Sequence, residues 1–147
     1  LDRAGMDLHE PAWPGAHTAL AAGLLEASVC SGPARVELAA KVGGDAFANV
    51  TGGGIPGNLV RVLPDRCDGV VWRGTWPEPR IFAEIQRAGD VADLEMQHVF
   101  NLGVGMLAVV PADVGERALD VVRSAGHDAW IVGEVVEGHG RVRMEHR

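Results

Sequence analysis

Cysteine is scarce in this sequence of 147 residues: Cys30 and Cys67 stand far apart, with no CxxC spacing. That argues against a disulfide framework or a thiolate metal centre, and the expectation is two free thiols in a reducing compartment. Histidine supplies no metal pair either. His9, His17, His98, His127, His139 and His146 are scattered, none four residues from another, and surface positions are expected for all, including His98 just ahead of Phe100 and Asn101. Positive charge is also in deficit. A formal net charge of −7 and a pI near 5.3 leave no electrostatic footprint for nucleic acid or an anionic membrane. No apolar run approaches the roughly 18 to 20 residues that span a bilayer, and the N-terminus has no basic-then-apolar pattern of a signal peptide. With 47% hydrophobic and 22% charged residues, a soluble cytoplasmic protein is expected.

What the chain does have is strands alternating with helices. Helices are expected over 16–25, over 33–42 (opened by Pro33, stopped by Gly43 and Gly44), over 81–88 (closed by Gly89), over 91–99, and over 112–125 (ending at Gly126). Short strands are expected at 46–50, 69–72, 104–110, 129–136 and 141–145, and residues 11–15 form a Pro/Gly turn. The length suits one domain with one sizeable core, residues 1–147. The fold class is α/β (α+β), a layered domain with a mixed β-sheet packed against helices.

Residues 46–64, AFANVTGGGIPGNLVRVLP, carry the most chemical information. Glycines 52, 53 and 54 separate a buried strand from a helix that starts near Pro56. The first amides of a helix lack intrahelical partners, and without Cβ atoms an anion can approach the main chain closely. Gly52, Gly53 and Gly54 are therefore candidates to cradle phosphate. Thr51, in the same turn, and Asn58 and Arg61 just beyond it are added as phosphate- or substrate-binding candidates, Arg61 as a charged fork. A plain tight turn is the alternative.

Phe100 to Met106 is a second candidate, with Gly103 and Gly105 at the mouth of a buried strand and Asn101 offering both donor and acceptor. A simple glycine bend is the competing reading. Trp76 and Trp130 sit in proline or apolar contexts and read as packing residues, and Glu95 and Glu134 as helix-surface and strand-end groups. No catalytic residue is identified, and no metal ligand.

Thr51 to Asn58, followed by Arg61 to Pro64, resembles the TGGG(L/I)PxNxxRVLP signature in the C-terminal domain of phosphoribosylformylglycinamidine cyclo-ligase, also called aminoimidazole ribonucleotide synthetase. Trp76-Pro77 with Pro79, Ile81 and Phe82 is similar to its WPxPxIF, and Ala88 to Val91 to its AGNV. Glu95-Met96 with Phe100 to Met106 resembles EM…FNxGxGM, and Ala129 to Val135 resembles AWxIGEV. The likeness is strong over 46–136 and loose before that. Two departures stand out. Asn49 occupies a position where the family usually has histidine, so no charge change near neutral pH is available there. Residues 27–34 carry Gly32 and Pro33 where the family has a short strand, so either that strand is damaged or the stretch is a loop.

The resemblance implies an ATP- and Mg²⁺-dependent closure of the imidazole ring of formylglycinamidine ribonucleotide in purine biosynthesis. It also implies a homodimer and a separate N-terminal domain that holds most nucleotide and metal ligands. On this reading the chain is a C-terminal portion, inactive alone, that opens on the tail of a helix at Leu1 to Gly5. A non-catalytic anion-binding remnant is one alternative. Another is a second superfamily enzyme, such as selenophosphate synthetase, thiamine monophosphate kinase or the amidotransferase one step earlier.

Overall fold

Buried and exposed residues alternate at Ala48, Asn49 and Val50, the period-two pattern of a strand with one face on a core. In a computed structural model, which describes residues 6–11 and 13–146, this strand is β1 (Ala46–Asn49). It pairs antiparallel with β3 (Met106–Val109), from Ala46 opposite Val109 to Asn49 opposite Met106. The Val50 amide extends the ladder to the Gly105 carbonyl at 3.0 Å.

The second sheet is mixed and centred on β2 (Cys67–Arg73). On one side β4 (Gly133–Glu137) runs antiparallel to it, and on the other β5 (Val142–His146) runs parallel. Consecutive residues Val70 and Val71 are both buried, so the middle of β2 is covered on both faces. Gly133 is required where β4 begins, because a Cβ there would lie 2.1 Å from the Val70 carbonyl oxygen.

Helices α1 (Leu20–Leu24), α2 (Gly32–Val42), α3 (Gly54–Leu59), α4 (Arg80–Gly89), α5 (Asp93–Val99) and α6 (Gly115–Ser124) complete the described elements, with 3₁₀ turns at Val60–Val62 and Ala112–Val114. The main core joins Ala48, Val50, Ile55, Leu59, Val71, Trp76, Val104 and Leu107, drawing on β1, α3, β2 and the approach to β3. A smaller cluster of Leu38, Ala118 and Val121 seals α2 against α6.

The layered α+β class holds, and several boundaries move. The helix expected from residue 16 begins only at Leu20, because Ala19 bridges Pro11 and the Leu20 and Ala21 amides donate to the carbonyls of Glu10 and Leu8. α4 runs through Gly89, and the left-handed residue that closes it is Asp90, at φ 50°. Asp90 is one of the non-glycine residues that tolerate this conformation. The strand expected from residue 129 begins at Gly133, and Ala112–Val114 is a 3₁₀ turn ahead of α6. Residues 27–31 are loop, and α2 takes over from Gly32. The expected helix tail at Leu1 to Gly5 lies outside the described residues, as does Ala12 of the expected 11–15 turn.

Candidate functional site

The glycine turn connects β1 to α3, and each of its glycines meets a different environment. Gly53 (φ 108°) precedes the helix and Gly54 (φ 61°) opens it, both in left-handed conformations that disfavour a side chain. Gly54 is buried against α5. A Cβ on it would fall 1.9 Å from the Gln97 carbonyl oxygen and 3.1 Å from that of Phe100. Gly52 is exposed, and a Cβ there would meet nothing within 4 Å.

Asn58, only 5% exposed, holds the turn from beneath. Its Nδ2 donates to the carbonyls of Gly54 at 2.7 Å and Thr51 at 3.3 Å, while its Oδ1 accepts from Thr51 Oγ1 at 3.2 Å. The side chains of Thr51 and Asn58 are thus bonded to the turn itself and shape it. The Gly54 amide donates to Thr51 O and that of Gly57 to Gly53 O, at 3.1 and 3.0 Å. The amides of Gly52 and Gly53 take no protein acceptor among the described residues. Two adjacent main-chain donors thus stand without a protein partner among the described residues, at a turn whose Gly52 is exposed.

Phe100 to Gly105 packs beside it. The Asn101 side-chain oxygen accepts from the Gly103 amide at 3.1 Å, a local turn that uses the acceptor expected to orient a ligand. Leu102, buried, is held at φ 50°, and its carbonyl receives the Trp76 indole N–H at 2.9 Å. Gly103 (φ 92°) lets Pro79 approach: a Cβ there would sit 2.5 Å from the proline Cδ. The rings of Phe82 and Phe100 meet at 5.7 Å between centroids, tilted by 57°. Sequence segments separated by dozens of residues therefore form one continuous contact: the glycine turn on α5, and the loop after α5 on the Trp76 to Pro79 segment.

Asn49 is exposed at the end of β1, and Arg61 is exposed on the Val60–Val62 turn. His98, on the exposed side of α5, donates from Nδ1 to the Leu94 carbonyl at 2.7 Å. Glu95 and Glu134 are exposed, and Trp76 and Trp130 pack on the core. Cys30 and Cys67 are free thiols.

Charge pairing marks residues that spacing alone did not. Arg73 at the end of β2 contacts Asp93 and Glu78, and its hydrogen bond, with a further one from Gln97, holds the Asp93 carboxyl below its ordinary range. Glu84, buried on α4, is held low by Arg87 and then Arg80. Asp68 is held low by the backbone N–H groups of His139 and Arg141, which donate to it at 2.7 and 2.9 Å. Among the described residues no group of three or more His, Cys, Asp or Glu is placed to hold a metal ion, and no helix is long and apolar enough to cross a membrane.

The family described as AIR synthase related protein, C-terminal domain, matches residues 24–145. Three curated relatives bear the name phosphoribosylformylglycinamidine cyclo-ligase. The one from Symbiobacterium thermophilum is 48% identical over 89 residues, 60% of this chain and 25% of that protein. That from Sorangium cellulosum is 44% identical over 107 residues, 71% of this chain and 30% of the relative. The chloroplastic protein of Arabidopsis thaliana is 36% identical over 140 residues, 95% of this chain and 36% of the relative. The chain thus spans about a quarter to a third of the length of the curated relatives it matches. On this match the chain belongs to the AIR synthase related family, as its C-terminal domain.

Proposed function

We propose that this domain forms part of an ATP-dependent cyclo-ligase that converts formylglycinamidine ribonucleotide to aminoimidazole ribonucleotide in purine biosynthesis, and that its glycine turn seats a phosphate of the substrate or nucleotide. The observation that carries the site is the contrast within the turn: Gly54 is packed against α5, while Gly52 is open and its amide has no protein acceptor among the described residues. The names of the relatives support the reaction.

When bound, ATP with Mg²⁺ supplies the phosphoryl group that activates the formyl oxygen, from ligands lying mostly in an N-terminal domain. The contribution of this chain is positioning and charge neutralisation. Gly52 and Gly53 donate main-chain N–H groups to an oxyanion, Thr51 and Asn58 fix the turn, and Arg61 lies on the following 3₁₀ turn as a further charge for phosphate oxygens. Asn49 holds a hydrogen-bonding amide but moves no proton near neutral pH. A cytoplasmic homodimer completes the reading.

Titrating the chain with inorganic phosphate and ribose 5-phosphate, while following backbone amide resonances, tests the seat. Shifts centred on Gly52 and Gly53 are expected, and Gly52→Ala should weaken them without unfolding the chain. Shifts confined to other elements would overturn the assignment. Grafting residues 24–145 in place of the matching portion of the Sorangium cellulosum relative tests the reaction. The chimera should release phosphate in the presence of formylglycinamidine ribonucleotide and ATP, and a folded chimera without turnover counts against this domain supporting the chemistry.

A further inference from the structure

We infer that Arg73 is a positioning residue for the glycine turn, acting on it through α5. Its side chain is 13% exposed and reaches carboxylates on two separate segments. Nη1 donates to both oxygens of Asp93 at 2.8 Å, while Nε and Nη2 each lie 3.2 Å from Glu78 Oε1. Glu78 lies between Pro77 and Pro79, in the segment that receives Gly103 and the Leu102 carbonyl. Asp93 is the first residue of α5.

The opposite end of α5 is the surface under the glycine turn, where the Gln97 and Phe100 carbonyls face Gly54. Asp93 is also tied to that end directly, because its Oδ2 accepts from Gln97 Nε2 at 2.7 Å. A seven-residue helix is only about 10 Å long, so a displacement at its start is delivered to its last turn. The geometry requires a guanidinium. Its planar fork bridges two carboxylates at once, whereas a lysine ammonium is a point charge at the end of a flexible stem. Without a cation between them, Glu78 and Asp93 would repel and draw the Trp76 to Pro79 segment away from α5.

This inference rests on the proposed reading of the turn as an oxyanion seat and names the residue that sets its geometry. The test is a phosphate titration of the whole chain, read at the Gly52 and Gly53 amides, for wild type, Asp93→Asn, Asp93→Glu and Arg73→Lys. Glu37→Gln breaks an exposed ion pair with Lys41 on α2 and serves as the remote control. Asp93→Asn and Arg73→Lys should each weaken phosphate by about fivefold and move the Gly54 resonance. Asp93→Glu should restore affinity, and Glu37→Gln should change nothing. The Asp93 side chain is 51% exposed, so its variants fold even if Arg73→Lys does not. A wild-type response preserved in Asp93→Asn overturns the positioning role while leaving the seat intact. No phosphate response in the wild type overturns the seat, and this inference with it.

Discussion

The indole N–H of Trp76 donates to the carbonyl of Leu102 at 2.9 Å, between residues 4% and 2% exposed. The bond fixes a residue whose own backbone is unfavourable: Leu102 is a bulky side chain at φ 50°, a conformation costing on the order of 1 to 3 kcal/mol that persists only where its surroundings impose it. Trp76→Phe keeps a ring but leaves that carbonyl buried without its donor. A loss of about 2 kcal/mol is expected by urea unfolding. An unchanged midpoint would mean that the loop is held by packing alone.

Gly52 and Gly54 belong to one run of three glycines and are opposite in consequence. Alanine at 54 would put its Cβ 1.9 Å from a helix carbonyl, at positive φ, so either α3 or α5 must move. The expected cost is about 3 kcal/mol or more. Alanine at 52 meets open space and should alter stability by less than about 0.5 kcal/mol. Thermal denaturation of the two variants side by side checks the contrast, and equal effects would contradict the packing described.

That contrast also marks how far the sequence could be read. β1, the glycine turn, β2, and the stops at Gly43 and Gly126 follow from signals confined to a few neighbouring residues, and the serial motifs identified the domain. Whether Gly54 is small for a ligand or for a helix depends on Gln97, 43 positions away, and no local pattern carries that information. Asn58 likewise reads as a ligand-orienting amide until its burial and its bonds to Thr51 and Gly54 are known. The partners of Arg73 lie 5 and 20 residues downstream on different elements, so pairing rules for a single helix cannot find them. The late start of α1 has the same origin: the preceding turn takes amides that propensity alone assigns to a longer helix.

Asn58→Asp gives a sharper test of the turn than truncation does. The carboxylate would set an oxygen where Nδ2 now faces the carbonyls of Thr51 and Gly54, so donors are lost and acceptors oppose one another. A destabilisation of about 3 kcal/mol is expected at pH 7, reduced in acid where a protonated carboxyl can donate to one of them. Stability measured at pH 7 and pH 5 should therefore converge toward wild type at the lower value. A constant difference between variant and wild type would show that the amide does not hold the turn.

Acid should weaken the fold through the carboxyls held low in the native state. Asp68 receives the His139 and Arg141 amides, Asp93 is bonded first by Arg73, and Glu84 first by Arg87. Each native pKa lies below the unfolded reference, about 3.9 for Asp and 4.3 for Glu. In that case the unfolded chain takes up protons first as pH falls. The stabilisation is therefore fully present above the unfolded values and drains away as pH drops through the native ones. Unfolding midpoints should be flat with respect to these groups from pH 7 to about pH 5 and fall steeply below about pH 4. Asp68→Asn keeps an acceptor oxygen for both amides but removes the titration, so its profile should be shallower in the acid limb. A limb as steep as that of the wild type would mean that Asp68 is not held low by the β4–β5 turn, and that the bonds from His139 and Arg141 do not distinguish the charged form from the neutral one.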